Sequence, residues 1–388
     1  MIKQDLVNPN LLFLGTEFGL FITLDGGKQW ARFKENLPKV AVHDLVIHPT
    51  ENDVILATHG RGVYIIDDIT PIRALTNDVL NSDVAMLPAR PAVMVDSGSL
   101  QSFSGGDTFV GESLPEAAYI TYYLKKRHMF GKIMVNIYDE NNKLIKSVPA
   151  GKRRGINRVA WPMRLKPPKF PPSNTLSGGF FGPRVAVGKY RVELVKGKKT
   201  YPAQIELVGD PRSKHTDAER KLQHQLSMKL YNDINDLTYM INKLEDLSKQ
   251  ANKLKPNLSK SQQKKVKAFN KIVTDFTHSL ASHKKGMITG EEKLKEKYGT
   301  LFSNVTSYNG KPSQTQFTQA EILAKQLKQA QDKAATIIAK DLPKLNKALG
   351  DKKLKLLSRE KWNKDNGMGQ VVPKNWVYKL QQSSIFSM

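Results

Sequence analysis

Two hairpin-like segments in the first seventy residues restrict the possible fold of this chain more than any other feature. Segments 10–25 and 52–68 start 42 residues apart, and each contains an apolar run ending in Thr, a short Gly turn and a second apolar run ending in Asp. Apolar runs separated by Gly turns predict β-hairpins. A repeat of about 40 residues with several strands per copy is typical of β-propeller blades. We therefore expect residues 1–75 to form a blade region, with a further, irregularly alternating strand between the two copies.

The stretch after the first hairpin, TLDGGKQW, has two interpretations. Asp25 is either a catalytic or metal-binding carboxylate, or it closes a turn by accepting hydrogen bonds from backbone N–H groups. The spacing Thr23-x-Asp25-x-Gly27-x-x-Trp30 favours the turn, because Gly supplies positive φ values and the Trp ring packs beside it. We therefore assign these four residues a structural role.

This spacing resembles the Asp-box, or BNR repeat, of propeller proteins. Together, GTEFGLFITLDGGKQW and ATHGRGVYIIDDITPIR resemble the last blade region of large bacterial sortilin-type Asp-box proteins, a family often labelled "glycosyl hydrolase". The resemblance implies that the turn lies on the outer side of a propeller and that an Ig-like module and a helical segment follow. It also implies export to the periplasm or the cell exterior.

A propeller needs about four or more blades to close. We therefore expect this chain to be a C-terminal fragment, a split gene product or a truncated gene model. The missing blades, encoded upstream in the same gene or in a separate chain, are its first expected partner.

Composition excludes several classes of protein. The 388 residues contain no Cys, which rules out disulfides, thiolate metal sites and Cys nucleophiles. No apolar run is long enough for a membrane span, so none is expected. The N-terminus lacks the apolar stretch of a signal peptide, which does not match the exported location that the resemblance implies.

The net charge of +25 is concentrated in the second half of the chain, where residues 211–388 contain 34 Lys and Arg against 16 Asp and Glu. Such an excess can attract nucleic acid or an anionic surface. The cations are mostly scattered Lys without interleaved Arg and aromatic residues. We therefore favour a solvated helix surface and do not expect nucleic acid as a partner.

Residues 76–212 have the pattern of a β-sandwich. Pro88 and Pro91 indicate a linker at its start. Strand-like alternation follows in four segments, 117–124, 132–148, 155–161 and 188–208. Short strands with turns at this spacing predict an Ig-like or fibronectin-like sandwich. The Pro- and Gly-rich loop 164–184 is either a binding loop or, in the interpretation we prefer, an ordered insertion without a ligand.

Residues 213–350 have helical periodicity. Thr216 and Glu219 have the spacing of a capping box, and Pro256 interrupts the pattern. Apolar residues recur at helical spacing at Leu222, Leu226, Leu230, Ile234, Leu237, Ile241 and Leu244. Further helices are predicted over 259–285, 289–306 and 316–349, with Gly350 as a stop. We expect an antiparallel bundle or long helical hairpins, with a coiled-coil partner surface as the alternative.

The tail 351–388 is basic and then aromatic and apolar around Trp362, Trp376 and Tyr378. It either docks on the rest of the chain or stays loose.

No segment has a recognisable catalytic or metal-binding signature. His43 and His48 lie five residues apart on a predicted strand and would face opposite sides, which disfavours a metal site. Arg61, next to His59 in the HGRG stretch, resembles a carboxylate-binding arginine of sialidases, whose sites also need residues from further blades. A hairpin turn is the plainer role. We therefore expect no catalytic residue, no metal and no cofactor, and we retain His59 and Arg61 as candidates for binding.

These observations predict a multidomain protein of β and α structure: partial propeller blades, an Ig-like sandwich and a helical domain. The preferred function is non-catalytic binding or scaffolding, with a protein, peptide or glycan ligand. One alternative is a sialidase-like glycoside hydrolase that is active only with the missing blades. The other is a basic nucleic-acid or anionic-surface binder that acts through the helical half.

Overall fold

The computed structural model describes residues 1–96, 114–172, 181–283 and 291–366. Helices make up 38% of these residues and strands 25%, so the predicted combination of β and α structure is confirmed. The strands all precede the long helices along the chain. Buried side chains form two hydrophobic cores within the β structure and a third within the helices.

Seven strands in the first seventy residues form two antiparallel sheets. The first sheet contains, in spatial order, β1 (Ile2–Gln4), β2 (Leu12–Thr16), β3 (Gly19–Thr23) and β4 (Ala31–Arg32). The second contains β5 (Val42–Ile47), β6 (Val54–Thr58) and β7 (Val63–Ile66). The β2–β3 and β6–β7 hairpins are the two predicted repeats. A Thr hydroxyl closes each of them, donating from Thr16 to the Gly19 carbonyl at 2.9 Å and from Thr58 to the Gly62 carbonyl at 2.6 Å.

The inner faces of these two sheets pack against each other. Phe13 of the first sheet and Leu56 of the second are fully buried in the shared core. Gly15 permits this close approach, because a Cβ atom there would lie 2.8 Å from the carbonyl oxygen of Val42. The sheets are therefore stacked as a pair.

Strand β5 contains a β-bulge at His43. The residues on either side of His43, at 42 and 44, pair with adjacent residues of β6, so His43 is the extra residue. The bulge explains the irregular alternation of the sequence, since it places Val42 and Leu45 on the same buried face although they are three residues apart.

A buried ion pair ties the start of the chain to α1 (Thr70–Arg73). Arg73 donates through Nε and Nη2 to both carboxylate oxygens of Asp5, at 2.9 and 2.8 Å, and through Nη1 to Asn52. The Asp5 side chain is 0% exposed and also accepts the backbone N–H groups of Val7 and Asn8. Burial by itself would raise the pKa of Asp5, but the hydrogen bonds outweigh burial and the pKa lies below its ordinary value.

Eight further strands form two sheets around the second core. We call these two sheets the second β unit, and the two sheets of the first seventy residues the first β unit. They are β8 (Val84–Leu87), β9 (Ala92–Met94), β10 (Ala118–Leu124), β11 (Ile133–Tyr138), β12 (Leu144–Pro149), β13 (Gly155–Trp161), β14 (Gly188–Lys196) and β15 (Lys199–Gly209). The spatial orders are β13-β10-β8 and β12-β11-β14-β15-β9. The four segments predicted to contain strands all do so.

Pro88 and Pro91 do not form a linker between domains. They lie between β8 and β9, which belong to the two sheets of the same unit, so this prediction is wrong. Pro cannot donate to a strand ladder, and a crossing between two sheets therefore has the same composition as a linker. The chain enters this unit earlier, through α2 (Asn77–Asn81).

The helices after residue 213 pack around the longest of them. They are α3 (Asp217–Leu254), α4 (Lys260–Leu280), α5 (Leu294–Thr306), α6 (Gln314–Thr336), α7 (Leu342–Leu349) and α8 (Arg359–Asp365). A π-helical turn, Ile337–Asp341, joins α6 to α7, and a short 3₁₀ turn, Lys255–Asn257, follows α3 where Pro256 was expected to interrupt it. The capping box of Thr216 and Glu219 is present, and Gly350 follows α7 with a φ of 64°.

The apolar side of α3 is covered by the chain's own helices. Leu222 is an exception, because it is exposed and does not belong to the core as predicted. In that turn Gln223 takes the buried position, where its Nε2 donates to the carbonyl of Val305 at 2.8 Å. A polar side chain that is hydrogen-bonded to the backbone can thus be buried on a helix where the apolar pattern predicted a Leu.

The loop 164–184 and the tail, which contains α8, both dock on α3. In the loop 164–184, the N–H of Lys169 donates to Asn235 of α3 at 2.9 Å, and Phe170 packs on the helical core. In the tail, Trp362 is buried and meets Tyr239 edge to face, with 5.7 Å between ring centroids. Loop residues 173–180, Trp376 and Tyr378 lie outside the described residues.

Candidate interaction surface

The predicted Asp-box residues form one hydrogen-bonded turn after β3. The Thr23 hydroxyl donates to Oδ1 of Asp25 at 2.7 Å and accepts the N–H of Gly27 at 3.1 Å. The same Oδ1 accepts the N–H of Gln29 at 3.0 Å, and Nε1 of Trp30 donates to the Gly27 carbonyl at 3.0 Å. The structure thus brings all four predicted residues into direct contact.

These contacts favour a structural role for Asp25. Hydrogen bonds from the Gln29 N–H and the Thr23 hydroxyl hold the pKa of Asp25 below its ordinary value. Gly26 and Gly27 have φ values of 73° and 99°, a conformation that other residues rarely adopt. Oδ1 of Asp25 therefore accepts two hydrogen bonds from within the turn itself.

His59 and Arg61 lie at the tip of the β6–β7 hairpin, and both are exposed. Gly60 and Gly62 have φ values of 69° and 75°, so the two candidate residues alternate with glycines that shape the turn. Since the Thr58 hydroxyl also bonds to the Gly62 carbonyl, the tip has a fixed backbone.

The structure brings His43 and His59 together but leaves His48 apart. The bulge at His43 places its ring 5.4 Å from the ring of His59, measured between centroids. His48 lies beyond the end of β5, and its Nδ1 accepts the backbone N–H of Glu51 at 3.1 Å. Within residues 1–96, 114–172, 181–283 and 291–366, no group of three or more His, Asp and Glu is arranged to hold a metal ion.

The β5–β7 sheet presents an apolar outer face on the side opposite the inner core. Val46, Ile55 and Ile65 form one cross-strand row, and Ala57 and Val63 form a second, in which Ala57 also pairs with the exposed Asp44 of β5. Val46, Val63 and Ile65 are each more than half exposed. We call the five apolar residues of these two rows the outer face. A row of aliphatic side chains in water is typical of an interaction surface.

The first sheet has a comparable row on its own outer side. Ile2, Leu14 and Phe21 pair across β1, β2 and β3, and Arg32 of β4 continues the row. Ile2 is more than half exposed, and Leu14 and Phe21 are partly exposed. The stacked pair of sheets therefore presents apolar side chains on both of its outer sides.

Asp67, just after β7, is a carboxyl group with an altered pKa. Burial, and then the charge of Asp53, raise the pKa of Asp67 above its ordinary value, and the charge of Arg158 partly opposes them. A carboxyl group that keeps its proton to higher pH can donate a hydrogen bond to a bound group.

Arg158 of β13 connects the two β units. Its guanidinium donates to the carbonyl oxygens of Asp67 and Asp68, at 3.3 and 3.1 Å, and lies 5.5 Å from the ring centroid of Tyr119. The sequence reasoning missed this residue. The available signal was its position in GINRVAW, where strand alternation directs a charged side chain away from the sandwich core.

A shallow cavity of about 260 Å³ opens beside Tyr119, between the β8–β9 connection and strands β10, β14 and β15. Arg90, Lys189 and Glu206 line it. Arg90 is already paired with Glu51. Because cations and an anion share this lining, the cavity does not favour a ligand of either charge.

None of the helices in the part of the chain that the structure describes combines the length and the apolar character needed to cross a membrane.

Comparison with known proteins gives little further information. No protein-family model matches the sequence, and no curated protein matches it either. Among solved structures, the chain is similar to "The crystal structure of CopC from Methylosinus trichosporium OB3b", at 14% identity, over 25% of this chain and 80% of that chain, with a TM-score of 0.15. At this TM-score the similarity supports no conclusion about fold or function.

Proposed function

We propose that this chain is a non-catalytic binding or scaffolding part of a larger Asp-box propeller protein of the cell envelope, and that its first partner is a further β sheet. The observation that carries this proposal is the outer face of the β5–β7 sheet. Burying an exposed Val or Ile side chain is worth about 1.5–3 kcal/mol. The exposed side chains of Val46, Val63 and Ile65 therefore provide a substantial driving force for covering this face.

The geometry of the first two sheets indicates what would cover it. These sheets already pack face to face, with Gly15 against Val42. A sheet with the same alternation could add to the outer face in the same way, since sheets stack about 10 Å apart through interdigitated side chains. This stacking is the expected arrangement of neighbouring propeller blades.

The finer assignment of the fold is part of the same proposal. We interpret the first two sheets as partial propeller blades and the next two, which share the core around Trp161, as an Ig-like β-sandwich. We interpret the helices around α3 as a bundle. The contacts within the Asp-box turn support the first assignment, because they give Asp25 the structural role that this family implies.

A glycoside hydrolase remains the alternative for the assembled protein. The carboxylates of such a site would come from the further blades. This alternative is tested by assaying the complete assembly for glycosidase activity, and the scaffold proposal predicts that the assembly has none.

Site-specific photo-crosslinking in the native cells tests the scaffold proposal directly. A benzophenone amino acid replaces Ile65 on the outer face, and in a matched control it replaces Ile322, an exposed Ile on α6. We expect position 65 to give adducts with a segment of alternating apolar residues, in another chain or in another copy. If position 65 gives no more adduct than position 322, the outer face is not covered and the proposal is wrong.

A charge substitution completes the test. Ile65→Lys should abolish the adducts formed from a probe at position 63, while Ile322→Lys should leave them unchanged. Circular dichroism of both variants checks that they are folded.

A further inference from the structure

The most exposed large apolar side chain among the described residues lies in the β10–β11 loop. Phe130 is 86% exposed and its neighbour Met129 is 64% exposed. Gly131, with a φ of 85°, turns the chain directly after them. Two adjacent large apolar side chains at the tip of this loop contact water and gain no free energy from burial within the chain. Such an exposed apolar pair is typical of a contact surface.

Cations surround this tip. Segments 125–132 and 151–155 contain seven Lys and Arg and no Asp or Glu. The two segments lie side by side, because the N–H of His128 donates to the carbonyl of Lys152 at 2.9 Å. Most of these cations are exposed, among them Lys126, Arg127 and Arg154.

The neighbouring loop is fixed in place. Asn157 accepts the N–H of Arg153 at 3.2 Å and donates to its carbonyl at 2.8 Å, while the hydroxyl of Tyr122 donates to the carbonyl of Gly151 at 2.6 Å. A Cβ atom at Gly151 would lie 2.5 Å from Oδ1 of Asn157, so only glycine fits there. The fold thus builds a rigid basic rim beside the apolar tip.

We propose that this end of the second β unit docks on a phospholipid surface with anionic headgroups. Phe130 and Met129 would insert at the boundary between headgroups and acyl chains, and the surrounding Lys and Arg would contact headgroup phosphates. Met has no aromatic face for stacking on a base, and the cations surround the apolar pair instead of alternating with aromatic residues. Both observations favour a lipid surface over a nucleic acid.

This proposal is independent of the outer face of the β5–β7 sheet. The Phe130 tip connects β10 and β11, and these strands pack around a different core. Binding of this kind needs no membrane-spanning helix. It requires two signals, an apolar insertion and a basic patch, and the two loops supply both.

Vesicle co-sedimentation of the full chain tests the proposal. Vesicles of phosphatidylcholine mixed with an equal part of phosphatidylglycerol are compared with vesicles of pure phosphatidylcholine, at low and at raised salt. We expect binding only to the anionic vesicles, and a loss of binding as salt screens the charges. Equal binding to both vesicle types, or no binding at low salt, would overturn the proposal.

Matched variants then locate the surface. The double variant Met129→Ser/Phe130→Ser should bind about tenfold or more weakly, since it removes the apolar insertion. The control is Phe18→Ser, because Phe18 is 73% exposed in a different hairpin and follows Glu17. Equal losses in the two variants would show that the tip has no special role and would refute the proposal.

The basic rim has its own test. Lys126→Gln/Arg127→Gln/Arg154→Gln should weaken binding by about fivefold for each cation removed. The control Lys34→Gln/Lys39→Gln/Lys325→Gln removes the same charge from exposed positions between β4 and β5 and on α6, and it should change binding little. If a DNA duplex displaces the chain from vesicles and binds it equally well without the tip, the surface is a nucleic-acid site and the lipid proposal fails.

Discussion

Replacing Arg73 by Met should destabilise the first β unit through its buried partner, Asp5. The substitution keeps an unbranched apolar stem but removes the guanidinium, and with it the bidentate contact at 2.9 and 2.8 Å. The carboxylate of Asp5, which is 0% exposed, would then remain buried without a cation. Breaking a buried pair by removing one partner costs about 3–5 kcal/mol, because the other charge stays uncompensated.

Hydrogen–deuterium exchange measures this effect locally, which matters in a chain with three separate cores. A loss of about 3 kcal/mol corresponds to a roughly hundredfold faster exchange of the most protected amides in β2, β3 and β6. The exchange rates of the α3 amides should not change. The control is Lys328→Met, which breaks an ion pair with Asp332 of the same 2.8 Å length but largely exposed to water. That substitution should cost less than about 1 kcal/mol.

The pH dependence provides a second check of the same prediction. In the native chain the pKa of Asp5 is lowered, so its contribution to stability is present above the ordinary carboxyl pKa and is lost as the pH falls through the lowered value. In Arg73→Met the buried carboxylate lacks its cation, and protonation relieves the penalty. The deficit of the variant should therefore shrink at acidic pH. A deficit below about 1 kcal/mol, or one that does not change with pH, would refute this explanation.

Three further predictions concern the first β unit and the residue Asp67, which directly follows its last strand. Gly15→Ala should cost about 1–3 kcal/mol, because its Cβ would lie 2.8 Å from the Val42 carbonyl oxygen, and urea unfolding followed by exchange of the β2 amides measures the loss. Thr23→Val should cost about 1–2 kcal/mol, since the N–H of Gly27 loses its acceptor; Thr23→Ser, with its hydroxyl retained, should recover most of the loss in the same assay. Asp67→Asn should stabilise the protein at neutral pH but not in acid. Burial raises the pKa of Asp67, so folding favours its protonated form. The stability of the native chain therefore falls as the pH rises through the ordinary carboxyl pKa to the raised value. Thermal unfolding at neutral and at acidic pH shows whether the stabilities of the two proteins become equal in acid.

Local patterns in the sequence predicted most of the secondary structure. The Gly turns predicted the β2–β3 and β6–β7 hairpins, and helical periodicity with the Thr216 capping box predicted α3. These features depend on residues close together in the chain. The irregular alternation before residue 47 was also visible, although the bulge at His43 that causes it was not.

Features that depend on distant residues could not be predicted. Arg158 meets the carbonyl of Asp67 from 91 residues away, and no local pattern identifies that partner. Pro88 and Pro91 have the composition of a linker, yet β8 and β9 on either side belong to the two sheets of the same unit. In the sequence, Phe130 is an ordinary apolar residue before a strand. Its exposure depends on the positions of neighbouring loops, which the local sequence does not reveal.

The contact of Arg158 also determines how the two β units can move. Its guanidinium belongs to β13, and its acceptors are the carbonyl groups where the chain leaves β7. Bending between the two β units would leave this partly buried cation without its acceptors, so their connection resists rotation. A sheet bound to the outer face and a bilayer touched by the Phe130 tip would then be held at one separation. In that arrangement the chain would act as a spacer of constant length between its two partners.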